Sequence, residues 1–145
     1  MNLIEYLNGD PYAASFCTQI EAVAHMWDDL VDRDKDRSNG EIDAVFTSLL
    51  WDIPSNPFYR THETIIRPCL LNVILQWKAA NVLERSDVSS QRCCAYMLRN
   101  ALLSVFALCI YLTGGDNQTI VRFWAEATSE FEHLYGIFVQ EMTNA

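Results

Sequence analysis

Basic residues are scarce in this chain: 10 Lys and Arg stand against 19 Asp and Glu, giving a formal net charge of −9 and a pI near 4.6. No two of the ten are adjacent, so no basic run can follow a phosphate backbone, and direct nucleic-acid binding is not expected. The opening MNLIEYLNGD carries an acid where a secretory leader needs a basic start. It also lacks a long apolar region and a small-residue cleavage site, which argues against secretion by that route. Long hydrophobic runs are missing as well. The most apolar stretch, ALLSVFALCIYLT from Ala101 to Thr113, has 13 residues, whereas a membrane-crossing helix needs about 20. It is expected to be a buried core helix, with no membrane partner.

Cysteine and glycine are equally uninformative as chemical signatures. The five cysteines, Cys17, Cys69, Cys93, Cys94 and Cys109, are odd in number and contain no CxxC pair, so neither a disulfide framework nor a zinc ribbon is indicated. Their helix-like apolar contexts suggest buried thiols in a reducing cytoplasm. With five glycines there is no glycine-rich phosphate loop and no nucleophile elbow. His62-Glu63 is the nearest approach to the His-Asp doublet of metal-dependent phosphohydrolases, and that doublet is absent. Ser129 and Cys94 have no context that would make them nucleophiles.

What is present is helical periodicity throughout. Asp10-Pro11 supplies an N-cap and a first-turn proline, and Ile20, Val23, Trp27, Leu30 and Val31 then recur on one face to about Asp34. Ser38-Asn39-Gly40 ends that helix, and a shorter one runs from Glu41 to about Asp52. WDIPSNPFYR reads as a loop, after which Asn56-Pro57 restarts a helix that passes a kink or restart at Pro68 and reaches Glu84. Ser86-Asp87 caps a helix from Val88 to Leu112, closed by Gly114-Gly115. Asn117 caps the last, whose apolar stripe is Ile120, Phe123, Phe131, Leu134 and Phe138. No repeat or linker interrupts the sequence, which predicts an all-α fold: one domain over residues 1–145, a bundle of five or six helices.

The stretch AHMWDDLVDRDKD, residues 24 to 36, stands out because it places five aspartates and a histidine at a helix C-terminal end. Taking Glu21 as zero and about 100° per residue, His25, Asp28 and Asp32 fall within about 40° of it and Asp29 at about 80°. The apolar set lies roughly opposite. Like charges four residues apart oppose a helix by about 0.2–0.5 kcal/mol per pair. Acids in its last turn oppose the dipole by about 0.3–1 kcal/mol each. A bound cation reverses the sign of both terms, so His25, Asp28, Asp29 and Asp32 are the candidate divalent-metal ligands. Their oxygen donors suit Mg²⁺ or Mn²⁺ in preference to Zn²⁺, and a contribution from His25 shifts the balance toward a transition metal. On the last helix, Glu126, Glu130 and His133 have the spacing to add ligands from a second element. Arg92 and Arg99, seven residues apart, are placed either to pair with acids or to meet a phosphate.

HMWDDLVDRDKDRSNG, from His25 to Gly40, resembles the first aspartate-rich region of trans-prenyltransferases. In that family such acids hold the Mg²⁺ ions that clamp a substrate diphosphate, and the resemblance implies this role for Asp28, Asp29 and Asp32. It covers 16 of 145 residues. The chain is about half the length of those enzymes, and it has neither a second DDxxD nor the usual arginine pair, reduced here to Arg33 and Arg37. The ordered set HMWDDLVD, SNPFYR, WKAANVLER and AYMLRN is similar to small helical proteins of bacteriophage and prophage genomes. That likeness implies origin and fold rather than activity.

Two functions are therefore expected in order. The first is a small acidic phage-type interaction protein that binds a host or virion protein. The second is a divalent-metal-dependent hydrolase or transferase acting on a phosphorylated or diphosphate compound. Trp27, Trp51, Trp77 and Trp124 read as core or interface aromatics. An apolar surplus that includes Trp51, Phe58, Tyr59, Phe106 and Tyr111 exceeds what a small core holds, which predicts a homodimer.

Overall fold

The computed structural model describes residues 1–129 and 131–144, except for the side chains of residues 132–134, 141 and 142. The described residues contain no strand. In chain order the helices are α1 (Leu3–Tyr6), α2 (Pro11–Asp32), α3 (Asn39–Thr47), a π-helical turn (Ser48–Asp52), α4 (Ile53–Ser55), α5 (Pro57–Leu83), α6 (Ser89–Arg99), α7 (Leu102–Leu112), α8 (Asn117–Ala127) and α9 (Phe131–Asn144). The all-α expectation holds, and the number of helices exceeds five or six. The segment read as Val88 to Leu112 is two helices meeting at a bend of 41°, and the last expected helix is also two. No single helix among the described residues is long and apolar enough to cross a membrane.

Two compact units make up the chain: Asn2–Glu63, and Thr64–Ala145 together with Met1. In the first, α2 begins where the Asp10 carboxylate accepts hydrogen bonds from the Tyr12 and Ala13 backbone N–H groups at 2.9 and 3.0 Å, with Pro11 at the position that has no N–H to satisfy. Its buried face carries Ala13, Phe16, Cys17, Ile20 and Met26, and α2 packs against α1, α3, the π turn and α4. Phe16 stacks on Tyr59 with ring centroids 5.5 Å apart and meets Phe58 at 6.2 Å. The expected apolar stripe holds only in part. Ile20 is buried and Val23 and Trp27 are half-buried, but Leu30 and Val31 are exposed because the last turn of α2 extends beyond its neighbours' cover.

The expected loop WDIPSNPFYR is helical for most of its length. Pro54 falls in α4, which follows the π turn with no break in helical backbone, and Asn56 leaves the helical region only long enough to cap α5. Asn56 is the one buried polar residue of this segment. Its Nδ2 donates to the Tyr12 carbonyl at 2.9 Å, and its Oδ1 accepts from the Tyr59 N–H at 3.1 Å. One side chain thus fixes the starts of α2 and α5 together. Phe58, expected among the surplus aromatics, is buried, as is Phe106 in the second unit.

In that second unit α5 continues without interruption through Pro68. Trp77 Nε1 donates to the Arg99 carbonyl at 2.9 Å, and the Arg99 guanidinium in turn holds Glu84 at 2.8 Å and Asn81 at 3.0 Å. Arg99 is therefore a structural ion-pair partner, and Arg92 donates to the Ser86 carbonyl. The apolar α7 buries Val105, Phe106, Ala107, Cys109 and Ile110 and is followed by Gly115, whose N–H reaches the Ile110 carbonyl at 2.8 Å. A Cβ there would meet Ile110 Cγ2 at 2.5 Å, so the close approach requires glycine. Asp116, one residue before the expected cap, accepts from Thr119 N–H and starts α8, which packs on α7. Tyr96 sits among Phe131, Tyr135 and Phe138 at 5.4–5.5 Å, and burial raises its pKa. Of the cysteines expected to be buried, Cys93 and Cys94 are exposed and Cys69 is half-buried.

Replacing Asn56 with Ala removes the cap of α5 and the bond from Nδ2 to the Tyr12 carbonyl. Urea unfolding should show a loss of about 1–3 kcal/mol, and a loss within error of zero would show that the two starts are held otherwise.

Candidate functional site

The acidic end of α2 is built by the chain turning back on itself. Arg33 adopts the left-handed conformation (φ 56°) and its N–H still bonds the Asp29 carbonyl, which ends the helix. The following residues bring Arg37 back toward α2. Its Nε lies 2.6 Å from Oδ2 of Asp29, Nη2 donates to the same oxygen, and Nη1 reaches Oε1 of Glu41 at 3.1 Å. The Arg37 and Asp29 side chains are only 17% and 16% exposed, so this contact is sheltered where most of the acidic stretch is wet.

Glu41 takes part in a second device. Its Oε2 accepts the Ser38 N–H at 2.8 Å, and Ser38 Oγ accepts the Glu41 N–H at 3.2 Å, a reciprocal capping box that starts α3. Hydrogen bonding from the Ser38 backbone, then its side chain, then Arg37 holds the Glu41 carboxyl below its usual pKa. The bond to Asp29 holds the Arg37 guanidinium above its own. A continuous polar chain, Asp29 to Arg37 to Glu41 to Ser38, therefore joins the end of α2 to the start of α3.

Against this frame the sequence candidates separate. His25 is well exposed, with Nε2 3.8 Å from Oε1 of Glu21 one turn earlier. Asp28 is half-buried, Asp32 is exposed, and Asp29 is bound to Arg37. Among the described residues, no group of three or more His, Cys, Asp or Glu side chains is placed to hold a metal ion. Glu126 is exposed on α8, while Glu130 and the His133 side chain lie outside the described residues. Beside the clamp is an open cavity of about 540 Å³, with His25, Met26, Asp29, Lys35, Arg37 and Glu41 among its lining residues. The opposite charge that the acidic stretch demands is supplied at Asp29 by the chain itself, eight residues on. Arg37 stood in the sequence as a remnant of an arginine pair, and only the left-handed turn at Arg33 shows where it goes.

A second feature of the same unit lies at the end of the segment expected as a regular helix from Glu41 to about Asp52, where helical periodicity gives no sign of a π turn. Where α3 passes into the π turn, the Ile53 N–H bonds the Ser48 carbonyl, five residues back. The wider turn makes residues four and five apart near neighbours, so Leu50 and Trp51 both follow Phe46 by about one turn. All three face water: Phe46 is 54%, Leu50 76% and Trp51 70% exposed, with Leu49 beside them. No Lys or Arg occurs between Ser38 and Tyr59, whereas Glu41, Asp43 and Asp52 do. The result is an apolar face with acidic surroundings.

Comparison with family models, curated proteins and solved structures finds no match to this chain.

Asp32 is the last residue of α2 and is exposed, an acid placed against the helix dipole. In metal-free buffer Asp32→Asn should raise the unfolding free energy by about 0.3–1 kcal/mol. A decrease would show that Asp32 has a stabilising partner.

Proposed function

We propose that this chain is a small acidic interaction protein of phage type, working in the cytoplasm, that docks on a host or virion protein through the face formed by α3 and the π turn. The observation that carries this reading is the exposure of Phe46, Leu50 and Trp51 side by side. Large apolar side chains exposed singly are ordinary, but an aromatic, a leucine and a tryptophan on adjoining turns form the kind of anchor cluster that dominates protein interfaces. Trp51 in particular has a large contact area and few rotatable bonds, so ordering it on binding costs little. The π turn supports the same reading, because such turns interrupt regular hydrogen bonding and are frequent at functional sites.

The metal-dependent hydrolase or transferase is the second reading. It is favoured by one observation, that His25, Asp29, Lys35 and Glu41 share a cavity large enough for a small phosphorylated compound. In that reading Asp28 and Asp32, with Asp29 and His25 beside them, hold Mg²⁺ or Mn²⁺, and Arg37 orients the phosphate.

Affinity capture with the intact chain separates the two. A partner from host or virion extract should be retained by wild type and by Asp28→Asn, and lost on Leu50→Glu with Trp51→Glu. Capture unaffected by the double change would overturn the docking face. For the second reading, Mg²⁺ or Mn²⁺ must raise the thermal midpoint of wild type with concentration and not that of Asp28→Asn. Failure of either ion to do so removes it.

A further inference from the structure

The second unit carries a face of the opposite kind. On α5, taking Leu71 as zero, Arg67, Ile74, Leu75, Lys78 and Val82 all fall within about 60° of it, and Arg85 just past the helix end continues the line. Every one of these residues is exposed, and the buried Ile66, Val73 and Ala80 lie on the opposite side. The stretch Thr64–Leu83 contains no Asp or Glu, and the following Glu84 is turned to Arg99. In a chain of net charge −9, one helix face about 30 Å long is thus apolar along its middle and basic along its length.

Such a face is costly to leave in water, since the leucines, isoleucine and valine follow one another at the three- and four-residue spacing of a docking seam. Its chemistry is the complement of the face on α3 and the π turn: apolar and acid-surrounded there, apolar and basic here. We propose that the α5 face of one copy of this chain docks on the α3–π face of a second copy. The proposal rests on the docking reading of that face: a second copy covers it until a host or virion protein takes its place. Leu71, Ile74, Leu75 and Val82 meet Phe46, Leu49, Leu50 and Trp51. Lys78, Arg85 and Arg67 lie toward Asp43, Asp52 and Glu41. A face meeting its own copy sets acid on acid or base on base, so charge selects the mixed pairing. A contact between unlike faces either closes in a two-fold pair or runs on from copy to copy, and both raise the mass.

The test is light scattering on the intact chain at micromolar concentration. Wild type should exceed 16.6 kDa by at least a factor of two, and the excess should fall as salt is raised. Lys78→Glu with Arg85→Glu in one variant, and Asp43→Lys with Asp52→Lys in another, should each give 16.6 kDa with unchanged circular dichroism. An equimolar mixture of the two should recover the higher mass, because the reversed charges again face each other. Should either variant fail to fold, Val82→Glu and Leu50→Glu test the same faces. A wild-type mass fixed at 16.6 kDa on concentrating overturns the second copy as partner, while the docking face itself is judged by the capture experiment. A higher mass that survives both charge reversals, or a mixture that stays monomeric, also overturns it. So does sedimentation with phosphatidylserine vesicles that needs Lys78 and Arg85 but not Leu50 and Trp51, which would assign the α5 face to a lipid surface.

Discussion

A single guanidinium decides how the acidic end of α2 can exist. Arg37 lies between Asp29 on α2 and Glu41 on α3, and each of its contacts works with a helix dipole. A cation near the C-terminal end of α2 and a carboxylate in the first turn of α3 are both favourable placements. The pair Arg37 and Asp29 is sheltered from water, so it is screened less than the wet acids around it. Without it the five aspartates of residues 24–36 would stand against the dipole, with only Arg33 and Lys35 among them. With it the chain turns sharply and begins α3 within a few residues. The position of α3 in turn sets where the π turn begins, and hence where Phe46, Leu50 and Trp51 emerge.

The same arrangement explains why an acidic chain leaves so much apolar surface uncovered. In the first unit the interior is filled by Phe16, Phe58, Leu7, Ile20 and Met26, and the π turn directs its largest side chains away from them. In the second, α5 buries the side carrying Ile66, Val73 and Ala80 and leaves the opposite side in solvent. Charge is divided along the same line. Acids surround the first apolar face and bases accompany the second, although basic residues are the minority. A segregation of that kind has no role in forming either helix, and its consequence is for what each face can meet.

Much of the fold was legible because helix ends are written locally. Asp10-Pro11 and Asn56-Pro57 each mark a start through bonds spanning three residues or fewer, whereas Ser38, expected at the end of α2, caps α3 with Glu41. The helical character of nearly the whole chain follows from the same patterns. The errors have two physical sources. Proline at 54 is expected to break the helix and Pro68 to kink or restart it, yet Pro54 lies within α4 and Pro68 is carried inside α5. Periodicity predicts burial, yet Leu30 and Val31 satisfy a helical stripe and remain exposed, because a stripe shows which residues share a face and not whether anything covers it. The acidic stretch stands out in the sequence as a place for a cation, expected there as a divalent metal. That Arg37 provides one at Asp29 depends on the conformation of Arg33, which no spacing rule encodes.

The clamp is therefore the point at which the account is most exposed to experiment. A double-mutant cycle on Asp29→Ala and Arg37→Ala, followed by urea unfolding at neutral pH and low salt, measures it directly. If the guanidinium is what allows the acidic end to fold back, each single change destabilises and the double change costs clearly less than the two together, with the coupling shrinking as salt is added. Strictly additive effects, or a chain that is stabilised by Arg37→Ala, would contradict the account.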